Sequence, residues 1–185
     1  MYRYEEADQM WIRKARRGDA KAFAHLYGKI YQDLYRFALY MMKHPQDAED
    51  VVSEAVMAAY ENISKLRKDE AFGNWMFQIL SNCCKKKLAA KKKVMEWSES
   101  GLSDVTDDRI AAQTVNHAEN QDVREAFEAL SDEERLIVGL SVFGGYKSNE
   151  IGNVLGMKPA TIRSKRSRAF QKMKKCLGKE CSYES

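Results

Sequence analysis

The segment 126–177 is divided into short helices by residues that typically begin and end them. Ser131, followed three residues later by Glu134, forms a capping-box pattern, in which each side chain satisfies a free backbone N–H at the start of a helix. Gly144–Gly145 and Gly156 stand where two helices are expected to end, because glycine adopts the left-handed conformation of a helix terminus without strain. The spacing predicts two packed helices followed by a helix-turn-helix.

The last helix of this segment is almost purely basic. It begins at Pro159, whose missing N–H costs nothing in a first helical turn, and the stretch from Lys158 to Lys175 contains eight Lys or Arg residues and no acid. A surface of this kind is typical of proteins that bind phosphate groups. Apolar residues at three- and four-residue steps predict the stripe that packs on the preceding helices: Ile162, Ala169, Phe170, Met173 and Leu177.

The opposite face of the basic helix is predicted to meet DNA. It carries mainly small and basic residues, which are Ala160, Ser164, Ser167, Arg168 and Lys175. Small side chains allow close approach to a groove, and Arg163, Ser164 and Arg168 can reach base edges and flanking phosphates. A basic amphipathic helix that is solvated or lies on a membrane surface is the alternative, but Gly156 and Pro159 favour the helix-turn-helix.

The composition predicts an all-α fold. The chain has 185 residues, only two prolines, abundant Ala, Lys, Glu and Met, and almost no alternation of β-branched residues. The net charge of +4 is modest, but residues 96–134 contain twelve acids against two bases and lie between two basic segments. We therefore expect two small helical domains, residues 1–94 and 120–185, joined by a flexible acidic linker over residues 95–119.

Four helices are predicted in the first domain. They cover about residues 5–17, a long stretch capped by Asp19, about residues 46–65 and about residues 70–91, and His44–Pro45 separates the second from the third. The second helix carries a stripe that we interpret as core: Phe23, Leu26, Tyr27, Ile30, Tyr31, Leu34, Tyr35 and Ala38. The fourth is expected to bury Phe72, Trp75, Met76, Ile79 and Leu80.

The third helix has an acidic face. Its apolar stripe is expected to point inward and consists of Val52, Ala55, Val56, Ala59 and Ile63. The opposite face carries Asp47, Asp50, Glu54 and Glu61. Asp50 and Glu54 repel each other, and no Lys or Arg on this helix before Lys65 relieves the repulsion. Such a face is either solvated or a docking surface for a basic partner.

Basic residues stand beside aromatic ones between the third and fourth helices. Lys65, Arg67 and Lys68 precede Phe72 and Trp75. This combination can hold a single nucleic-acid strand by phosphate attraction and base stacking. The two aromatic residues also have the spacing of core residues, so we assign them to the core and leave any nucleic-acid contact to the polar loop.

The remaining reactive residues do not indicate an enzyme. The cysteines lack a histidine at zinc-finger spacing, so free thiols are expected at Cys83, Cys84, Cys176 and Cys181, with the adjacent pair packing inside a helix. The histidines are scattered and lack a nucleophile or carboxylate pair; they are His25, His44 and His117. No cofactor, metal or small-molecule substrate is expected. No apolar run could cross a bilayer and no signal peptide is recognisable, so the cytoplasm is the expected location.

Several blocks of the sequence together resemble bacterial sigma factors of the extracytoplasmic-function group. They occur in order and are GDAKAFAHLYGKIYQDLYRFALYMM, DAEDVVSEAV, FGNWMFQILSN, ALSDEERLIVGLSVFGGYKSNEIGNVLG and ATIRSKRSRA. The similarity covers nearly the whole chain, and the acidic DAEDVVSE block followed by the C-terminal module is its most specific part. It implies a region 2-like domain, a linker and a region 4-like domain in a subunit that binds core RNA polymerase, directs it to promoters and helps to open the duplex.

The resemblance also implies roles for individual residues. Those that would contact the clamp helices of the largest polymerase subunit are Asp47, Asp50, Val51, Ser53 and Glu54. Those that would hold the −10 element, where a flipped base is captured, are Lys65, Arg67, Lys68, Asn74, Asn82, Lys85 and Lys86. Those that would contact the −35 element are Lys158, Thr161, Arg163, Ser164, Lys165, Ser167 and Arg168.

Two of the departures from the family pattern concern the packing and the start of the last helix. Arg166 replaces a usual Leu or Ile and falls on the apolar stripe, so we expect its stem along the edge and its guanidinium in water or on phosphate. Lys158 replaces the usual capping residue, which removes about 1 kcal/mol of local helix stability.

The resemblance further implies an anti-sigma partner that masks these surfaces, and a linker that runs through the polymerase. The alternative is a helix-turn-helix DNA-binding regulator, such as a dimeric repressor or activator, that does not dock on polymerase. In that interpretation the acidic face of the third helix and the basic loop after it have no role. The sigma-factor interpretation gives both of them one, and we therefore rank it first.

Overall fold

A computed structural model of the protein describes residues 6–99 and 117–178, and every regular element in these two ranges is helical. The predicted all-α fold is confirmed. The elements are α1 (Glu6–Arg16), α2 (Ala20–Met42), α3 (Pro45–Asn62), α4 (Phe72–Glu99), α5 (His117–Glu128), α6 (Asp132–Val142), α7 (Ser148–Leu155) and α8 (Pro159–Leu177). Two single-turn 3-10 helices, Ile63–Lys65 and Asp69–Ala71, connect α3 to α4.

Local signals set the boundaries of the N-terminal helices. The Asp19 carboxylate accepts hydrogen bonds from the backbone N–H groups of Lys21 and Ala22, at 2.9 and 3.0 Å, and so caps α2 as predicted. Lys43 ends α2 in the left-handed conformation, with φ of 63°. Pro45 then occupies the first turn of α3, where no backbone donor is needed.

The C-terminal helices follow the same rules. The capping box of α6 is present, with Glu134 N–H donating to Ser131 Oγ at 3.3 Å and Ser131 N–H donating to Glu134 Oε2 at 3.1 Å. Gly156 ends α7 in the left-handed conformation, with φ of 68°. Lys158 makes no side-chain capping bond, as its residue type led us to expect, and α8 begins at Pro159.

Helices α1–α4 form an N-terminal bundle around α2. Its largest fully buried side chains include Leu26, Phe37, Phe72, Phe77 and Leu80. The predicted core stripe of α2 is wrong for Tyr31, which is exposed, whereas Tyr27 and Tyr35 are partly buried and pack against the core. The Tyr31 ring contacts the rings of Tyr27 and Tyr35 along the helix surface. They lie at the edge of the apolar stripe, where a phenol can pack its ring and keep its hydroxyl in water.

Helices α5–α8 form a C-terminal bundle with a smaller core of its own. It consists of Ala126, Phe127, Leu130, Val138, Ala169 and Met173. The predicted stripe of α8 is right for Ile162, Ala169 and Met173, which are buried, and wrong for Phe170 and Leu177, which are exposed. Phe170 follows Ala169 directly, so the helix turns its side chain away from the core, and Leu177 is the final residue of the helix.

Arg166 also differs from its expectation. Its side chain is partly buried, and Nη1 donates a hydrogen bond to Ser141 Oγ at 3.2 Å. The guanidinium is therefore held by α6 rather than left in water. A polar partner on the neighbouring helix makes this charged residue compatible with the edge of the apolar stripe.

The predicted linker over residues 95–119 includes the end of α4 and the start of α5. Helix α4 continues through residues 95–99, and α5 begins at His117. The lysine tract does not end α4 because lysine is a good helix former and neither proline nor glycine follows before Gly101. The rest of the linker, the tail beyond Gly178 and Cys181 lie outside the described residues.

The cap at the start of α2 provides a test of this description. Replacing Asp19 with Ala removes the acceptor for two backbone N–H groups and should lower the free energy of unfolding by about 0.5–2 kcal/mol, measured by urea denaturation. Asp19→Asn is the matched control, because its side-chain oxygen can still accept those bonds. Equal stability of Asp19→Ala and Asp19→Asn would show that the cap does not stabilise the fold.

Candidate functional site

Helix α3 presents its predicted acidic face at the surface of the N-terminal bundle. The Asp50 and Glu54 side chains are about half exposed, at 50% and 47%, and Ser53 is also exposed. Asp47 lies closer to the protein, with 16% of its side chain exposed. Val51 requires a correction, because its side chain is fully buried and cannot reach a partner. It holds the helix in place, and the acidic residues beside it remain available.

Lysines of α4 pair with these acids. Lys87 Nζ lies 2.9 Å from Asp50 Oδ2 and 3.4 Å from Asp47 Oδ1, and Lys91 also binds Asp47. Lys86 Nζ lies 3.1 Å from Glu54 Oε1. Residue spacing along α3 does not reveal these partners, because they lie on a different helix. Packing of α4 against α3 brings together residues that are 32 to 44 positions apart in the chain.

The pairs change the titration of the acids. Partial burial alone would raise the pKa of Asp47, but hydrogen bonds and charges from Lys91 and Lys87 lower it overall. The hydrogen bond and charge of Lys87 lower the pKa of Asp50. Both acids are therefore anionic at neutral pH. Ion pairs this exposed contribute little to stability, so a basic partner could replace the lysines without unfolding the helix.

The loop between α3 and α4 presents its predicted basic residues to solvent. Lys65, Arg67 and Lys68 are all exposed. Arg16 Nη1 contacts Asp69 Oδ1 at 3.3 Å, which ties the end of this loop to α1. The aromatic residues after the loop are core residues, as predicted: Phe72 is fully buried and Trp75 packs against it.

The predicted −10 residues of α4 fall into two groups. Asn82 and Lys86 are exposed on the helix surface. Asn74 and Lys85 are partly buried; the Tyr146 hydroxyl donates to the backbone carbonyl of Asn74, and Lys85 Nζ donates to the carbonyl of Val154 at 3.4 Å. The four predicted residues of α4 therefore lie within residues 74–86 of the helix, and two of them are more accessible to solvent than the other two.

Helix α8 presents six of the seven predicted −35 residues on one exposed surface. They are Lys158, Thr161, Arg163, Ser164, Ser167 and Arg168. Ser164 Oγ donates a hydrogen bond to the carbonyl of Ala160 at 3.1 Å, and Arg168 Nε donates to the carbonyl of Ser164 at 3.3 Å. These bonds within the helix hold the polar side chains close to its surface.

The seventh residue, Lys165, points to α6 instead. It binds Glu133, and Lys172, about two turns later, binds Glu134 at 2.8 Å. The hydrogen bond from Lys172 lowers the pKa of Glu134. The sequence predicted a capping role for Glu134 and assigned no role to Glu133. Their position in the first turn of α6 also lets both acids pair with the lysines on the side of α8 nearest α6.

The described cysteines are free thiols. Cys83 and Cys84 are buried in α4, as predicted for helix packing, and burial raises the pKa of both. In residues 6–99 and 117–178 no group of three His, Cys, Asp or Glu side chains could hold a metal ion. No helix in these ranges is both long and apolar enough to span a membrane.

Two family models match the chain. The model described as sigma-70 region 2 matches residues 26–94, which include α3, the loop after it and the first part of α4. The model described as sigma-70, region 4 matches residues 120–173, which include most of α5, α6, α7 and most of α8. The acidic face lies in the first match and the exposed basic surface of α8 in the second.

Similar proteins cover nearly the whole chain. The RNA polymerase sigma-H factor of Pseudomonas aeruginosa is 27% identical over 183 residues, with 94% of this chain and 95% of that protein aligned. The ECF RNA polymerase sigma factor SigM of Mycobacterium tuberculosis is 26% identical, with 95% and 87% aligned. The sigma factor RpoE from Bartonella quintana, solved in complex with the anti-sigma factor NepR, has a similar fold, with a TM-score of 0.69, 21% identity, and 86% of this chain and 98% of that chain covered.

The ion pairs of α3 can be tested by titration. Replacing Lys87 with Met should raise the pKa of Asp50 towards its ordinary value of 3.8, and should raise that of Asp47 less because Lys91 remains. A lowered carboxyl pKa stabilises the fold above the ordinary value, and this contribution is lost as the pH falls through the lowered value. The variant should therefore lose less stability on acidification. Carboxyl NMR measures the pKa values, and urea unfolding in acid measures the stability.

Lys92→Met is the matched control, because Lys92 is an exposed lysine on the same helix. It should leave both carboxyl titrations unchanged. An Asp50 titration that is the same with and without Lys87 would contradict the ion-pair description.

Proposed function

This chain belongs to the sigma-70 family, as a sigma factor of the extracytoplasmic-function type, and we propose that three of its surfaces divide the work of transcription initiation between polymerase and promoter DNA. It binds core RNA polymerase and directs transcription initiation at promoters. Sigma factors are not themselves enzymes. A regulator that binds DNA without docking on polymerase is not favoured, because the region 2 match would then have no role.

The acidic face of α3 is the proposed polymerase contact. Asp50, Ser53 and Glu54 are exposed there. Asp47 is less exposed and adds negative charge to the same face. A row of carboxylates fits a basic protein surface, and we propose the clamp helices of the largest polymerase subunit as that surface. In the free chain the lysines of α4 form ion pairs with these carboxylates, and we propose that the basic polymerase surface replaces the lysines.

The loop before α4 and the adjoining face of α4 are the proposed −10 contact. Lys65, Arg67 and Lys68 supply exposed positive charge for the phosphates of a single strand. Asn74 and Asn82 carry amides that can read a base edge, and Lys85 and Lys86 extend the basic surface. Capture of an unstacked base would favour the open duplex by its binding energy.

The exposed surface of α8 is the proposed −35 contact. A helix that begins at Pro159 after a tight Gly156 turn can enter a major groove by its N-terminal residues. Arg163, Lys158 and Arg168 are exposed, and we assign Arg163 to a base edge and the other two to phosphates. Lys165 contributes less in this proposal, because Glu133 already holds it.

Domain limits and further partners complete the proposal. We assign residues 1–94 to the polymerase and −10 domain, residues 95–119 to a linker and residues 120–185 to the −35 domain. An anti-sigma partner is proposed because the structurally similar RpoE was solved with one. The cytoplasm, where core polymerase and promoter DNA are found, is the proposed location.

The exposed carboxylates of α3 are the observation that carries the polymerase assignment, and charge reversal tests it. Asp50→Lys with Glu54→Lys should abolish association with purified core polymerase, because positive charge would face a basic surface. Promoter-directed transcription in vitro should be lost with it. Circular dichroism should still report the helical content of the unaltered chain.

A fourfold variant provides the control for lost ion pairs. Adding Lys86→Glu and Lys87→Glu to the double variant restores opposite charges between α3 and α4 with their signs exchanged. It should recover any lost stability and still fail to bind core polymerase. Binding by either variant at the level of the unaltered chain would remove α3 from the polymerase contact.

Arg163 tests the proposed −35 surface. Arg163→Ala should cost about 1–3 kcal/mol of discrimination and relax base preference at one promoter position, as measured by titration with single-base promoter variants. Lys172→Ala is the matched control, because it removes one positive charge from the side of α8 that faces Glu134. It should leave base preference unchanged. An unchanged preference in Arg163→Ala would reassign this residue to the phosphates.

A further inference from the structure

Helix α1 ends in a basic segment that lies outside the two family matches. The region 2 match begins at residue 26, whereas the last turn of α1 and the residue after it contain Arg13, Lys14, Arg16 and Arg17. No acid occurs from Gln9 to Gly18. The helix dipole favours cations in a last turn, which accounts for the sign of this charge. It does not account for the place where the charge lies.

The basic end of α1 lies beside the loop of the proposed −10 contact. Helix α1 packs against both 3-10 helices of that loop. Arg16 Nη1 lies 3.3 Å from Asp69 Oδ1, and Arg13 Nε lies 4.0 Å from Asp69 Oδ2. The Tyr60 hydroxyl donates a hydrogen bond to the carbonyl of Gly18 at 3.2 Å, which ties the turn after α1 to the end of α3. These contacts fix α1 against the loop.

The arginines of this segment differ in what they contact. Arg16 forms the shorter pair with Asp69, and both side chains are partly shielded, so we regard Arg16 as a positioning residue for the loop. Arg13 keeps 65% of its side chain exposed. Arg17 is exposed and forms no ion pair within residues 6–99 and 117–178. Arg13 and Arg17 are four residues apart and therefore lie on the same side of α1.

Positive charges from two elements meet at this place. The loop adds three exposed cations to the two exposed arginines, which are Lys65, Arg67 and Lys68. Of the two acids in the loop, Asp69 is already held by Arg16, and Glu70 remains. Like charges on neighbouring elements repel each other in the free chain. A bound row of phosphates would turn this repulsion into attraction, and guanidinium groups bind phosphate in a bidentate way.

We infer that Arg13 and Arg17 form a further nucleic-acid contact, in which they hold phosphates of the displaced promoter strand next to the base that the loop captures. This inference rests on the proposed −10 contact and extends it onto α1. A single strand is the occupant because its backbone continues on both sides of a captured base, and such strands are held by basic surfaces that follow the backbone. Helix α4 continues from the loop on one side, and α1 packs against it.

The contact supplies affinity and position rather than sequence preference. Phosphates are the same at every nucleotide, so bonds to them carry no direct sequence information. They release bound counterions instead, and binding that depends on them weakens as salt rises. The role of Arg13 and Arg17 therefore differs from that of Arg163, which we assign to a base edge.

Single-strand binding at several salt concentrations tests the contact. The probe is a fluorescein-labelled pool of random single-stranded DNA about ten nucleotides long, and anisotropy measures its binding. Each phosphate contact on a single strand contributes about 0.7 to the slope of log affinity against log salt. Arg13→Gln with Arg17→Gln should bind several-fold more weakly than the unaltered chain, with a slope shallower by about 1.4.

Three further variants control for charge and for the loop. Arg36→Gln with Lys43→Gln removes the same charge from exposed positions at the other end of α2 and should leave the slope unchanged. Arg17→Gln alone breaks no described ion pair, so it should lower the slope by about 0.7 without disturbing the loop. Arg17→Lys keeps the charge and should keep the slope. A slope that is unchanged in Arg13→Gln with Arg17→Gln would overturn the inference.

Arginine modification locates the strand directly. Phenylglyoxal modifies exposed guanidinium groups, and mass spectrometry after a brief treatment measures the rate at each arginine. A saturating amount of the pool should slow modification of Arg13 and Arg17 several-fold and leave Arg36 unchanged. Equal rates with and without the pool would overturn the inference. Protection by core polymerase alone, and not by the pool, would assign this face to the polymerase and would overturn it as well.

The outcomes separate this inference from the proposed function. If Arg13 and Arg17 affect neither the slope nor the protection, the inference fails, and promoter-directed transcription by the unaltered chain still supports the sigma-factor assignment. An unchanged slope in Lys65→Gln with Arg67→Gln would instead show that the loop is not the contact. The proposed −10 contact would then fail, and the extension onto α1 would fail with it.

Discussion

The packing of α4 against α2 and α3 fixes the position of every candidate surface in the N-terminal bundle. Its buried face, which includes Met76, Phe77 and Leu80, is fully removed from water, and burial of this kind is the main favourable term in folding. With that face buried, one flank of the helix meets the acids of α3 and another meets the C-terminal bundle. Two functional surfaces and one interface between bundles therefore share a single helix.

Much of the fold could be predicted from the sequence because its boundary signals are local. Asp19, the Ser131–Glu134 capping box, Gly156 and Pro159 act within one helical turn, and each lies where the structure places a helix end. Apolar periodicity identified the buried side of α3 and most of that of α8. It failed for Tyr31 and Phe170, which lie beside a stripe rather than on it, because a hydropathy pattern does not say where the neighbouring helix ends.

The candidate surfaces were less predictable because their charges pair over long separations in sequence. Residue type and the family resemblance pointed to Asp50 and Glu54, yet their lysine partners come from a different helix, and Lys165 is turned to Glu133 in the same way. Spacing within one helix carries no information about such pairs. Val51 was wrongly assigned to the polymerase contact because it lies within the acidic sequence block. The helical period turns its side chain into the core. How the two bundles pack was beyond sequence reasoning altogether.

The two neighbouring thiols of α4 have a consequence for the chemistry of the chain. Oxidants and alkylating agents react with the thiolate, and burial keeps Cys83 and Cys84 protonated at neutral pH. In the described part of the chain only Cys176, near the end of α8, is partly accessible as a free thiol. Mild oxidative stress should therefore leave the thiols of the N-terminal bundle intact, and of the described thiols a thiol-specific dye should label Cys176 first, in the last turn of the proposed DNA-reading helix.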